Sequence, residues 1–146
     1  MTIFYLLTFL VCGAYILLMI SYLYGWINTP NSELRTSNSE FSTKVSVILP
    51  ARDEENNILK ILDCLYKQTY PLSNFEIIVV DDHSSDRTAE FIYQLDISNL
   101  KLIQLSKSSS GKKQAIAEGI KNATGNLIIT TDADCEMGEK WLSSIV

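Results

Sequence analysis

From Lys44 onward, short and nearly continuous apolar runs alternate with segments whose apolar residues recur at helical spacing, and this alternation most limits the fold. The runs are "VSVILP" (45–50), "FEIIVVDD" (75–82), "LKLIQLS" (100–106) and "NLIITT" (126–131). After the first, "EENNILKILDCLYKQ" places Ile58, Ile61, Leu62 and Leu65 on one helical face, with Asp53 as its N-cap and Glu54 and Glu55 at the positive end of its dipole. Ser85 or Asp86 caps a second helix, whose Phe91, Ile92 and Leu95 face the sheet. "GKKQAIAEGIKNA" forms a third, with Ala115, Gly119 and Ala123 on its packing side, and "GEKWLSSIV" starts another. Connections this short imply parallel strands joined by right-handed crossovers. The predicted fold class is α/β, a Rossmann-like, mainly parallel sheet with flanking helices. Such sheets bind ligands beyond the carboxyl ends of their strands. The loops leaving those ends hold "PARDE", "DDHSSD", "SKSSSGKK" and "DADCEMG", whereas the return loops hold ordinary turn chemistry in "TYPLSN", "DISN" and "ATGN". Carboxylates, the only histidine and a Gly-Lys-Lys therefore gather on one edge, and the site is expected there.

Ahead of this domain, residues 3–27 contain no charged side chain, and the first in the chain is Glu33. A run of about 20 apolar residues crosses the hydrocarbon core as a helix. Tyr22, Tyr24 and Trp26 cluster at its end, where amphipathic rings favour the interface. A cleaved signal peptide is the competing reading, but the run outlasts a usual signal core and lacks a basic leader. Arg35 and Lys44 follow the run and no basic residue precedes it. The positive-inside tendency then makes the chain single-pass, with the remainder cytoplasmic. Residues 28–43 are rich in Ser, Thr and Asn and are expected to be a polar linker, with the folded domain over 44–146. Cys12, Cys64 and Cys135 show no CxxC or Cys/His spacing, so neither a zinc site nor a disulfide framework is indicated. The net charge of −5 lies wholly beyond residue 32 and argues against a nucleic-acid partner.

Three loops carry chemistry. In "DADC", Asp132 and Asp134 follow a strand and, in an extended segment, point to the same side. Two carboxylates so placed call for a cation, and Mg²⁺ or Mn²⁺ commonly joins one or two carboxylates to substrate phosphates. The alternative is a turn with an Asp cap. In "VVDDHSSD", Asp81 ends a strand and can accept hydrogen bonds from a base or a ribose. Ser85 and Asp86 read as turn and cap, and His83 as a surface residue. In "SSSGKKQA", Gly111, Lys112 and Lys113 at a helix start suit an anion, although the GxxxxGK[ST] pattern is absent. A solvated basic turn is the alternative, and Arg52 after the first strand stands in the same position.

In this order and spacing, "VSVILPARDEE", "EIIVVDDHSSDRTAE" and "GKKQAIAEGIKNATGNLIITTDADC" resemble the family 2 glycosyltransferases, which have the nucleotide-sugar-binding GT-A fold, over residues 44–146. The resemblance implies that Pro50, Ala51 and Arg52 border the base, with Glu54 in the same loop, and that Asp81 contacts base or ribose. It implies that Lys112 lies near the nucleotide or its phosphates. Asp132 and Asp134 match the family's DxD, with Asp134 the more direct ligand of Mg²⁺ or Mn²⁺ and Asp132 at the ribose or the metal shell. The family's usual aromatic–Asn pair in the first loop is replaced here by Arg52 and Asp53. The implied reaction is transfer from a nucleotide-diphosphate sugar, UDP-sugar favoured, to a hydroxyl of a lipid or growing glycan at the membrane. The family's general base lies downstream of DxD, so it is expected beyond Val146, and the chain is expected to hold the donor half and to be weak or inactive alone. The competing expectation is a non-catalytic, membrane-tethered nucleotide-binding or signalling module. A receiver domain would need an acid where the third run ends in "QLSKSSSG".

Overall fold

In the computed structural model, which describes residues 1–28 and 42–146, Thr2–Asn28 forms one uninterrupted helix, α1. It buries none of its residues, and its most apolar window reaches a mean hydropathy of 2.5, enough in length and composition to cross a membrane. Two of its polar side chains turn to the helix backbone: Thr8 and Asn28 donate to the carbonyls of Phe4 and Tyr24, at 2.9 and 3.0 Å. Asn28 belongs to this helix. Of the rest of the expected linker, residues 29–41 lie outside the described residues, and the Thr43 carbonyl accepts the Tyr70 hydroxyl at 2.6 Å.

The second unit, Asn38–Val146, holds a four-stranded sheet. Its strands are β1 (Val45–Ala51), β2 (Phe75–Asp81), β3 (Leu100–Gln104) and β4 (Leu127–Thr130), all parallel and ordered β3-β2-β1-β4. Around it run α2 (Ile58–Tyr66), α3 (Thr88–Tyr93), α4 (Lys112–Asn122) and α5 (Trp141–Ile145). The chain steps outward from β1 to β3 and then returns past β1 to β4. Right-handed crossovers therefore place α2 and α3 on one face and α4 on the other. The core divides accordingly. Val47, Leu49, Ile77 and Val79 pack with Ile58, Ile61, Leu62 and Leu65 of α2 and Ile92 of α3. Ile48, Ile78 and Val80 pack with Leu105 and Ala115. Burial on both faces is why β1 and β2 read as unbroken apolar runs. On the second face α4 lies close to the sheet, because a Cβ on Gly119 would fall 2.5 Å from Cγ2 of Ile48.

The expected cap of α2 is not where the spacing put it. Asp53 has φ 55, a left-handed conformation that an N-cap does not adopt. The chain instead turns once more before the helix, with the Glu54 carbonyl accepting from the N–H groups of Asn57 and Ile58 at 3.0 and 2.9 Å. The helix starts after Asn57.

At the amino ends of the strands one carboxylate joins three segments. Oε1 of Glu76 accepts the Ser46 hydroxyl at 2.6 Å, and the N–H and hydroxyl of Thr124 at 2.6 and 2.8 Å. The Ser46 oxygen in turn accepts the N–H of Gly125 at 2.8 Å. Any side chain on Gly125 would meet the backbone of Val45 and Ser46 at 2.6–2.7 Å, so glycine is required by close approach. Burial pushes the Glu76 carboxyl up, but the bonds from Ser46 and Thr124, with Lys101 nearby, outweigh it and hold the group below its ordinary value of 4.5. A depressed carboxyl stabilises the fold above the unfolded value and loses that contribution as pH falls through the folded one. Glu76→Gln is thus expected to cost about 1–2 kcal/mol at neutral pH. In thermal melts of the detergent-solubilised chain, the gap to wild type should close below about pH 4.5. A gap independent of pH would reject this role for the charge.

Candidate functional site

Strand order reverses at β1, so the crevice beyond the carboxyl ends of β1 and β4 is the switch point where open α/β sheets bind ligands. A pocket of about 390 Å³ lies there. Pro50, Ala51, Arg52 and Glu54 line it from the end of β1, and Asp82 from just past β2. Gly111, Lys112 and Ala115 enter at the start of α4, and Asp132, Ala133 and Asp134 past β4. The structure thus brings together Pro50, Ala51, Arg52, Glu54, Lys112, Asp132 and Asp134. It does not bring Asp81.

Strand parity explains the exception. Ile77, Val79 and Asp81 alternate onto the face of α2 and α3, whereas Ile78, Val80 and Asp82 face α4, beside which the pocket opens. Asp81 is buried, with Oδ1 accepting the Ser84 N–H at 3.2 Å. Asp82 continues the ladder by one bond, its N–H donating to the Ala51 carbonyl at 2.9 Å. Its side chain then reaches α4, where Oδ2 accepts the Gly111 N–H at 2.8 Å. Gly111 caps α4 with φ 100, a conformation natural only to glycine. Although Asp82 is only 4% exposed, its Oδ1 has no hydrogen-bond partner among the described residues. A buried acceptor without a donor is costly and points to a ligand.

Arg52 is carried by a loop that is held from behind, and its guanidinium also lies 3.9 Å from Asp53. Asp53 accepts the N–H and hydroxyl of Ser85 at 2.7 and 3.0 Å, and its own N–H donates to Ser84 at 3.0 Å. Glu54 N–H donates to Thr88 at 2.8 Å and Glu55 N–H to Asp86 at 2.9 Å. Partial burial raises the Asp86 carboxyl, but the hydroxyl and N–H of Thr88 and the N–H of Glu55 outweigh it and hold it below its ordinary range. These bonds tie the loops after β1 and β2 into one platform. From it the guanidinium of Arg52 extends over the pocket, 3.6 Å from Oδ2 of Asp82. His83 is exposed at φ 58, its Nε2 3.0 Å from the Ser109 carbonyl, and lies outside the pocket lining.

The segment after β4 is a turn rather than extended chain. Cys135 N–H donates to the Asp132 carbonyl at 3.2 Å, and Ala133 is buried between the two carboxylates. Nζ of Lys112 sits 2.7 and 2.9 Å from the two oxygens of Asp132. That hydrogen bond, with lesser help from the charges of Asp132 and Asp134, raises Lys112 above its ordinary value. Asp134 is exposed, and its one hydrogen bond among the described residues is from the Cys135 thiol, at 4.0 Å. No group of three or more His, Cys, Asp or Glu ligands occurs among the described residues. Two carboxylates facing a pocket fit a hard cation that completes its oxygen shell with phosphate and water, and do not fit a fully protein-caged metal.

The domain model described as Glycosyl transferase family 2 matches residues 46–146. Glycosyltransferase AglE of Haloferax volcanii is 36% identical over 100 residues, covering 67% of this chain and 33% of AglE. The crystal structure of S. aureus TarS 1–349 with UDP-GlcNAc superposes with a TM-score of 0.65 at 33% identity, covering 70% of this chain and 30% of that one. The mannosyltransferase PcManGT from Pyrobaculum calidifontis, in complex with GDP-Man and Mn²⁺, gives 0.61 at 32% identity over 70% of this chain and 31% of its own. This chain thus spans about a third of AglE, at 33%, and of each solved relative, at 30% and 31%. With its parallel sheet shared by both solved relatives and its domain matched from the first strand onward, the chain belongs to glycosyl transferase family 2 and has the Rossmann-like GT-A fold.

Proposed function

We propose that this chain carries the donor-binding half of a cation-dependent glycosyltransferase, which moves a sugar from a nucleotide-diphosphate sugar to an acceptor hydroxyl at a membrane. The observation that carries this reading is the charge of the switch-point pocket. Its lining holds the carboxyl side chains of Glu54, Asp82, Asp132 and Asp134 against only two basic ones, Arg52 and Lys112. Such a lining repels a diphosphate unless a divalent cation accompanies it. Asp134 and Asp132 are the oxygen ligands offered to Mg²⁺ or Mn²⁺, which when bound stabilises the charge developing on the leaving nucleoside diphosphate. Pro50, Ala51 and Arg52 border the base, and Lys112 lies toward the phosphates.

Asp82, rather than Asp81, is the acid assigned to the base, since its orphaned Oδ1 suits a ring N–H. Uracil and guanine offer that N–H, whereas cytosine and adenine offer a lone pair at the matching ring nitrogen. The UDP-GlcNAc of TarS and the GDP-Man of PcManGT both belong to the first class and support the assignment. UDP-sugar is the favoured donor. The apolar α1 serves as a single-pass anchor, residues 44–146 form the transferase domain on the cytoplasmic side, and the acceptor is a lipid or a growing glycan within reach of the membrane.

Calorimetric titration of the full chain, recovered from membranes in detergent, tests this. UDP with Mn²⁺ is expected to bind at least about tenfold more tightly than UDP alone, and CDP to bind more weakly than UDP. A folded chain that binds no uridine or guanosine diphosphate in the presence of Mn²⁺ would end the reading. Recovery in the soluble fraction would end the anchor.

A further inference from the structure

We propose that Lys112 and the divalent cation are alternative partners of Asp132, and that Lys112, on leaving the carboxylate, takes the donor diphosphate. This rests on the donor-site reading above and adds a coupling that reading does not contain. The ammonium lies 2.7 and 2.9 Å from the two oxygens, astride the carboxylate, where a chelated cation would also lie. A monocation and a dication that close repel each other, so Asp132 accommodates one at a time. Among the described residues the pocket's one ammonium sits on Asp132 and none on Asp134, so Asp134 coordinates first and Asp132 is the exchangeable ligand.

Lys112 is built to move. Its side chain is 61% exposed, so no packing is broken when its flexible stem turns. It opens α4, and Gly111 and Ala115 on either side of it line the same pocket, so the ammonium stays within it. Anions are favoured there by the positive end of the helix dipole. Neither basic residue of the pocket is initially unpaired: Arg52 stands 3.6 Å from Asp82, and Lys112 is on Asp132. Exchange at Asp132 is what frees a positive charge for the phosphates. Cation and nucleoside diphosphate then bind with positive coupling, each strengthening the other by the same factor.

Electron paramagnetic resonance of unbound Mn²⁺, titrated with the full chain in detergent with and without UDP, reads both affinities. Lys112→Met is expected to tighten Mn²⁺ binding without UDP by roughly two- to fivefold, the scale of an exposed ion pair, and to reduce the enhancement that UDP confers. Lys113→Met, which removes a neighbouring exposed charge with no ion pair among the described residues, should do neither to that extent. Lys112→Gln repeats the test, and thermal melts confirm that each variant is folded. Unchanged or weaker Mn²⁺ binding in both Lys112 variants overturns the exchange, as does equal tightening in Lys113→Met or an undiminished UDP enhancement. If wild type holds no Mn²⁺ even with UDP, the donor-site reading fails and the exchange falls with it. If wild type binds Mn²⁺ with UDP and only the variants misbehave, the exchange alone is rejected.

Discussion

Asp134→Ala is expected to erase the Mn²⁺ dependence of UDP binding while leaving the fold intact, a loss of at least roughly 100-fold in the cation-dependent affinity. Substitutions that merely disturb the groups behind a metal ligand cost about 10- to 100-fold, so removal of the ligand itself sets a floor near the upper value. The fold is spared because Asp134 is exposed and, among the described residues, hydrogen-bonds to nothing but the Cys135 thiol at 4.0 Å, and a surface change of that kind stays within about 0.5 kcal/mol. Asp134→Asn keeps one oxygen donor without the charge and should fall between the two. The separation of effects is the useful part. Asp132→Ala also releases Lys112, so its affinity for UDP without cation should rise above that of Asp134→Ala, although both lose cation dependence. Calorimetry with UDP, with and without Mn²⁺, decides it alongside a melt of each variant. Wild-type affinity for UDP and Mn²⁺ in Asp134→Ala would remove the cation from this pair of carboxylates.

Features that depend on local chemistry and period were legible in the sequence. The runs 45–50, 75–82, 100–106 and 126–131 all became parallel strands, with ends moved by no more than two residues. Seven of the eight residues picked for the site line one pocket, because strand-to-helix loops in such a sheet have nowhere else to converge. What failed depended on facing or on contacts distant in sequence. In the sequence Asp81 stands out because it directly follows the apolar run. Counting parity from Ile78 and Val80 would have placed Asp82 on the α4 face once the handedness of the crossovers was applied. Asp53 has the position of a cap because it precedes a periodic segment, yet its hydrogen-bond partners are Ser84 and Ser85, 31 and 32 residues on. The turn at Asp132 and the ammonium on it share this character, since Lys112 and Asp132 meet only after α4 has crossed the sheet. The Glu76–Ser46–Gly125 joint has no local signature at all.

Asp82 should give the opposite pairing of effects to a structural residue: Asp82→Ala is expected to leave the melting temperature unchanged or higher while lowering UDP affinity by about 100-fold or more. In the fold alone, this carboxylate is poorly supported. One oxygen is buried without a partner among the described residues, and the other has the Gly111 N–H at 2.8 Å and a guanidinium at 3.6 Å. An unsatisfied buried acceptor costs about 1–3 kcal/mol, which truncation recovers. The Gly111 N–H is only partly buried and can turn to water, and the exposed Arg52 pair is worth little. Binding has the reverse sign. A site built around a buried acceptor rejects ligands that lack the matching donor by large factors, because the acceptor is then left bare. Hence wild type should prefer UDP to CDP strongly, and Asp82→Asn, whose amide presents either a donor or an acceptor, should lose most of that preference while keeping the Gly111 contact. Titrations of both nucleotides against wild type, Asp82→Ala and Asp82→Asn separate the possibilities. A marked fall in melting temperature with unchanged nucleotide preference would make Asp82 a structural cap of α4 and return the base contact to another residue.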